Sequence, residues 1–290
     1  MDELLSAYLH RLENTRGASP HTLRAYSRDL QHFLSFLEGR GLRDMAALTP
    51  RTLRAWLGTL DERGLAPSTI QRKLSSVRGF LRHLADEGQI EANPALGLRQ
   101  RRRPRHLPSV LSEEEIASLL LAPDPSTPLG LRDRALLEVM YSAGTRAAET
   151  VGLDRKDLDL AHGVARVLGK GRKQRLAALG SYAVKALEAY LDAPDRPRPQ
   201  RTNPDAVFLG QKGTRLTTRS LERIVARHVL GAGIHRHATP HTLRHSFATH
   251  LLDRGADLRS LQGLLGPAPL VATPVCPHVP VGRLREVYGQ

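Results

Sequence analysis

Ser19-Pro20, Thr49-Pro50 and Pro67-Ser68 stand where a three-and-four spacing of apolar side chains begins, and that punctuation confines the first hundred residues to amphipathic helices. A proline fits the first helical turn because its missing N–H would have no intrahelical partner there, and a neighbouring hydroxyl can cap the exposed N–H groups. After Ser19-Pro20 the apolar residues are Leu23, Tyr26, Leu30, Phe33, Leu34 and Leu37, ending before Gly39 and Gly41. Thr49-Pro50 opens a second set, Leu53, Trp56, Leu57 and Leu60, and Pro67-Ser68 a third, Ile70, Leu74, Val77, Leu81 and Leu84. Residues 2 to 14 supply a fourth helix. The polar faces carry Arg24, Arg28, Arg72, Lys73, Arg78 and Arg82, which read either as a solvated surface or as contacts to a polyanion.

Between Leu98 and Pro108 the periodicity stops and five arginines gather: Arg99, Arg101, Arg102, Arg103 and Arg105. This stretch reads as a linker, and its charge suits a strap lying along nucleic-acid phosphates better than a neutral tether. The expected organisation is therefore a helical domain at 1–98, a basic linker at 99–108 and a second domain at 109–290. The whole chain of 290 residues carries a formal charge of +14, which favours nucleic acid as partner. Aromatic residues make up only 4%, so duplex DNA held by its phosphates is expected rather than single strands held by base stacking. No apolar run approaches membrane-spanning length and no signal-like segment follows Met1, so a cytoplasmic protein without membrane contact is expected. With Cys276 the only cysteine, an internal disulfide and a cysteine-based zinc site are both ruled out.

From 109 onward the pattern is mixed. Ser112 and Glu115 form a capping box, and helices are expected at about 131–141, 181–191, 218–230 and 240–253. Val164–Leu168 and Arg175–Leu179 are short apolar runs joined by GKGRKQ, the signature of a β-hairpin with lysines at its tip, and a further strand is expected at Val207–Leu209. The fold class is mainly α with a small β-hairpin or sheet, the second domain being α+β.

Three pieces of the second domain carry chemistry. Arg146, in SAGTRAAE, opens a short helix with Glu149 one turn on; Lys170 lies in the hairpin loop; and HTLRH places His241, Arg244 and His245 on the first turns of a helix capped by Thr239-Pro240. Two arginines, a lysine and a histidine can clamp the non-bridging oxygens of one phosphate while charge builds in a phosphoryl transfer. Each also has a plainer role: Arg146 can pair with Glu149, Lys170 can be a solvated turn residue, and His241 can support a helix cap. A zinc hydrolase is a third possibility, since His241 and His245 are four apart, but Thr242 stands where an HExxH motif has glutamate and no third ligand is evident.

SPHTLRAYSRDL, GLRDRALLEVMYSAGTR, VARVLGKGRKQRLAALG and TPHTLRHSFATHLLDRGADLRSLQ, in this order, resemble the Xer-type tyrosine recombinases, and the likeness runs over nearly the whole chain. The phrasing is closer to XerC-like enzymes than to phage integrases. The resemblance implies an N-terminal four-helix, SAM-like core-binding domain and a C-terminal catalytic domain that together grip duplex DNA. It implies site-specific recombination through a covalent 3′-phosphotyrosyl intermediate, in a homo- or heterotetramer with a second Xer-type recombinase, serving chromosome partition and cell division. No metal or cofactor is needed, because the covalent link conserves the bond energy. Carried over residue by residue, Arg146 and Arg244 clamp the phosphate, Lys170 protonates the leaving 5′ hydroxyl, and His241 assists the proton transfer. Arg24, Arg72, Lys73, Arg101, Arg102, Arg103 and Lys173 are the expected DNA-binding residues.

The chain departs from that pattern from 267 on. The family's second histidine position holds Pro267 and its nucleophilic tyrosine position holds Cys276. A cysteine sulfur lies roughly 4 Å nearer its own backbone than a phenol oxygen, and a misplacement of about 1 Å can cost about 100-fold in rate. Pro267, Pro269, Pro274, Pro277 and Pro280 crowd the same segment, and a proline inside a helix costs about 3 kcal/mol. Each of the changes to proline, and the change to cysteine, is one base away from the family-like residue, so a locally decayed or misread coding sequence is one explanation and a non-cleaving DNA-binding paralogue or architectural subunit is the other. Tyr288 lies in a tail-like context and is not expected to replace the nucleophile.

Overall fold

Ser19, Thr49, Thr127, Thr217 and Thr239 each accept a hydrogen bond from the backbone N–H three residues on, and each opens a helix. The computed structural model describes residues 1–16, 18–98, 110–169 and 174–257, and the chain divides into two compact units, Met1–Arg105 and His106–Gln290.

In the first unit the helices are α1 (Asp2–Arg16), α2 (Pro20–Glu38), α3 (Pro50–Glu62) and α4 (Pro67–Asp86), with a short 3-10 turn at Met45–Ala47. Ala66, not a hydroxyl residue, stands at the N-cap of α4, so Pro67 alone marks that start. Leu30, Phe33, Leu37, Leu53, Trp56, Leu60, Val77 and Leu81 are wholly buried at the spacing the sequence predicts, and Phe80 joins them. Gly79 lies in the middle of α4 because the Tyr8 hydroxyl of α1 occupies the place a Cβ would need. The Trp56 and Phe33 rings meet edge to face at 4.9 Å, and the Trp56 indole N–H has no hydrogen-bond partner. Trp56→Ala is therefore expected to cost about 3–5 kcal/mol, whereas Trp56→Phe, which removes an unsatisfied donor, is expected to cost less than about 1.5 kcal/mol, both read by urea unfolding.

The polar faces differ from the sequence expectation at one site of charge. Asp29 is 1% exposed, and Lys73 turns inward to pair with it at 3.2 Å, with Arg72 pairing from the surface side. Lys73, expected on the DNA-binding face, is itself 8% exposed and neutralises a buried carboxylate, which would otherwise be costly to keep out of water. Arg78 is half-buried and donates to the carbonyls of Ala95 and Leu98, tying down the chain that follows α4. Arg24 and Arg28 remain exposed.

The second unit contains α5 (Glu113–Leu121), α6 (Pro128–Ala143), α7 (Ala147–Gly152), β1 (Leu158–Asp159), β2 (Val164–Leu168), β3 (Gln174–Ala178), α8 (Ser181–Leu191), α9 (Thr218–Gly231) and α10 (Pro240–Asp253). Helix α6 is central: Ala135, Leu136, Leu137, Val139 and Met140 are wholly buried, and it packs against α5, α7, α8 and α10. It begins at Pro128, ahead of the expected 131, because Thr127-Pro128 is itself a capping pair. The strands form one antiparallel sheet in the order β1-β2-β3, and Leu168 pairs with Gln174 at the base of the hairpin loop.

Val207–Leu209 is not a strand. It is a buried segment that bends at Val207 and Phe208, with isolated bridges only at Ala206 and Leu209, and its polar groups are satisfied one at a time. Val207 N–H donates to Leu153 O, Leu209 N–H to the Tyr190 hydroxyl, Arg196 to Ala206 O and Val207 O, and Arg132 to Leu209 O. With side chains completing the hydrogen bonds, an apolar run can be buried without a ladder.

Candidate phosphate-binding site

Gly144 ends α6 in the left-handed conformation, φ 54°, and turns the chain so that Arg146 opens α7. Beneath this turn Thr145 is fully buried, its hydroxyl 2.7 Å from that of Thr150. At the other end of α7, Arg215 pairs with Asp154 and donates to Val151 O and Leu153 O at 3.0 Å. The short helix is thus pinned at both ends. Glu149, at most 4% exposed, reaches back over its first turn: Oε2 accepts the Arg146 backbone N–H at 3.0 Å and Oε1 accepts Arg146 Nη1 at 2.6 Å.

A second arginine comes from α10. Thr239 and Thr242 cap this helix reciprocally and Pro240 fills its first turn. Arg244, 8% exposed, extends from it to donate through Nη1 to the carbonyl of Gly144. Ser246 fixes the helix on its other side, accepting from Leu111 N–H and donating to Thr242 O, both at 2.9 Å. A third arginine, which the sequence reading did not single out, is Arg175 on β3. Its Nη2 donates to Glu149 Oε2 at 2.8 Å, while Nε and Nη1 are buried without a hydrogen-bond partner. One signal could have revealed it: in QRLAAL strand alternation puts Arg175 on the same face as buried Ala177, and an inward arginine needs an anionic partner.

The electrostatics record this crowding. Burial, and after it the neighbouring Arg146 charge, lowers the Arg244 pKa to about 10, with Arg175 acting in the same sense and Glu149 opposing. Burial alone would raise the Glu149 carboxyl, but the hydrogen bonds from Arg146 and the charges of Arg175 and Arg146 outweigh it and hold the group below the usual glutamate range. Three guanidinium groups around one carboxylate leave two positive charges in excess. Such a crowded, positively charged cluster has the chemistry to hold an anion.

His241 is exposed one turn before Arg244, and His245, half-buried, has its pKa lowered by burial. Among the described residues no group of three or more His, Cys, Asp and Glu gathers to hold a metal, so the two histidines find no third ligand there. Lys170 and Lys173 lie outside the described residues, in the stretch of sequence between β2 and β3. Arg101, Arg102, Arg103, Pro267 and Cys276 also lie outside them.

Residues 109–273 match the family model described as phage integrase family, and residues 5–88 match that of the phage integrase N-terminal SAM-like domain. The chain belongs to the phage integrase family. Its curated relatives include the tyrosine recombinase XerC of Pelobacter propionicus, 42% identical across 100% of this chain and 95% of that protein. The tyrosine recombinase XerD of Listeria innocua is 39% identical across 100% and 98%. Among solved structures, the XerA recombinase is 29% identical, covering 92% of this chain and 90% of its own, with a TM-score of 0.51. XerH bound to its difH substrate before cleavage is 25% identical, covering 91% and 78%, with a TM-score of 0.68. In this integrase-family chain the two arginines expected to form the phosphate clamp, Arg146 and Arg244, lie at one place, Arg244 donating to the turn that precedes Arg146. For Arg146 the plain alternative also holds, since it pairs with Glu149; the pairing fixes the guanidinium without neutralising the cluster.

Proposed function

We propose that this chain acts in site-specific recombination on duplex DNA, seating a phosphodiester between Arg146 and Arg244, and that its own chemistry stops at binding. The observation carrying this reading is the net positive cluster of Arg146, Arg175 and Arg244 around the single carboxylate of Glu149. A phosphate supplies the missing negative charge and accepts the donors a protein carbonyl cannot saturate. The XerC, XerD and XerH relatives are named as recombinases and XerH is bound to its difH substrate, which supports a recombination site in duplex DNA as the partner here. Lys170 and His241, the latter exposed at the start of α10, would add contacts to the seated phosphate, and would serve a leaving 5′ oxygen only in a form of the chain given a nucleophile.

The nucleophile is the missing part. Cys276 and Pro267 occupy the family's tyrosine and second-histidine positions, so the chain would serve as a DNA-binding subunit of a homo- or heterotetramer whose partner cleaves. Arg24 and Arg72 on the helical domain, the linker arginines Arg101, Arg102 and Arg103, and Lys173 would contact phosphates, with Lys73 left to its buried partner Asp29. Among the described residues no helix is long and apolar enough to cross a membrane, and action on chromosomal DNA would place the protein in the cytoplasm.

The test begins by selecting duplexes bound by the chain from a random pool and building a nicked suicide substrate from the recovered site. A shifted, non-covalent complex that weakens steeply with salt is expected. A covalent protein–DNA band would overturn the binding-only reading, and recovery of no duplex above background would overturn the DNA partner.

A further inference from the structure

Arg175 occupies a place that the phosphate clamp alone does not explain. It lies on β3 opposite Val167 of β2, on the inward face shared with Ala177, so its backbone is fixed by the sheet and its side chain is 15% exposed. Its one hydrogen bond goes to Glu149 Oε2, the oxygen that also accepts the Arg146 backbone N–H, while Oε1 holds the Arg146 guanidinium. Glu149 therefore links the sheet to the start of α7, and Arg146 stands on that link. Arg146, 28% exposed at its side chain, is the more accessible of the two cations.

Resting on the reading of this site as a phosphate clamp, we propose that Arg175 is a positioning residue: by holding one oxygen of Glu149 from the sheet, it keeps Glu149 from drawing Arg146 away from the phosphate. The physical argument is competition for one carboxylate. Glu149 is buried and needs cationic donors; with Arg175 present these come from two directions, and Arg146 shares the load. Without Arg175, Arg146 is left as the guanidinium hydrogen-bonded to the carboxylate, Arg244 acting on it only through its charge, and the planar fork of Arg146 turns into a two-pronged pair with it. The donors so used are lost to the phosphate. Arg175 acts through Glu149 and not by touching the substrate, so removing the carboxylate must cancel the effect of removing Arg175.

The test uses the full chain with ¹⁵N-labelled arginine, following the Nε–H resonances during titration with inorganic phosphate. In the unsubstituted chain the Arg146 and Arg244 resonances are expected to shift together. Arg175→Met is expected to weaken phosphate binding about tenfold or more, and Arg175→Lys to restore it to within about threefold. Arg175→Met leaves a buried carboxylate half-paired and can fail to fold, so the deciding comparison is Glu149→Gln against Glu149→Gln with Arg175→Met, neither of which carries that charge. Equal phosphate affinity in these two supports positioning through Glu149. A further loss of about tenfold in the double variant would overturn it, because Arg175 would then contact phosphate itself. Unchanged affinity in a folded Arg175→Met would overturn it as well, leaving the clamp reading intact, whereas no shift at Arg146 and Arg244 in the unsubstituted chain would bring down both.

Discussion

Cys276→Tyr combined with Pro267→His is expected to leave a nicked suicide duplex without a covalent adduct, whereas the same pair joined to Pro269→Ser, Pro274→Gln, Pro277→Thr and Pro280→Ser is expected to yield one. The gain over the unaltered chain is on the order of 10³-fold or more, the scale on which nucleophile losses are felt elsewhere. A phenol at 276 is necessary for attack on phosphorus and departure of the 5′ oxygen, but it must also arrive in line. Prolines inside a helix remove backbone donors and clash with the preceding turn at about 3 kcal/mol each, so the two chemical groups alone would be restored on the wrong backbone. Denaturing gels after incubation with the selected duplex give the measurement. An adduct from the pair alone would show that the backbone tolerates the prolines; none from the fully repaired chain would remove the recombinase reading of the site.

Arg244→Met is expected to separate stability from function. Holding a charge in a place that lowers its pKa to about 10 costs the folded state free energy, which the Glu149 charge and the hydrogen bond to Gly144 O offset in part and a bound anion would offset further. The flexible apolar methionine fills similar space and removes the buried charge, at the loss of the hydrogen bond to Gly144 O. The two effects oppose each other, so the thermal midpoint should stay within about 4 °C of the unsubstituted chain. In the repaired, cleaving form the same substitution is expected to lower the single-turnover cleavage rate by about 10²–10³-fold, as loss of one donor to developing negative charge does. A cleavage rate within a few fold of the repaired parent would place Arg244 outside the phosphate site.

Much of this architecture was legible where the determining interactions are local. The start of α10 follows from Thr239-Pro240, that of α5 from Ser112 and Glu115, and the β2–β3 hairpin from two apolar runs around GKGRKQ. Capping and turn formation involve atoms within about four residues of one another, so a linear reading captures them. The same reading failed at Val207–Leu209, where the Tyr190 hydroxyl and the Arg132 and Arg196 side chains satisfy the backbone from elsewhere in the fold. It failed at Lys73 for the same cause: a cation on a polar helix face looks solvated until Asp29 of another helix is found buried beneath it.

By itself the sequence determined most of the helices and their starts, the β2–β3 hairpin, and the places of Arg146, His241 and Arg244 near the starts of α7 and α10. Only the tertiary structure decided that Arg244 reaches the turn before Arg146, a hundred residues away in the chain, and that Arg175 shares their carboxylate. The reason is the range of the forces involved. Periodicity and capping are properties of neighbours, but a cluster of like charges is assembled against its own repulsion, and it stands because α6, α10 and the sheet are packed rigidly enough to hold those charges together.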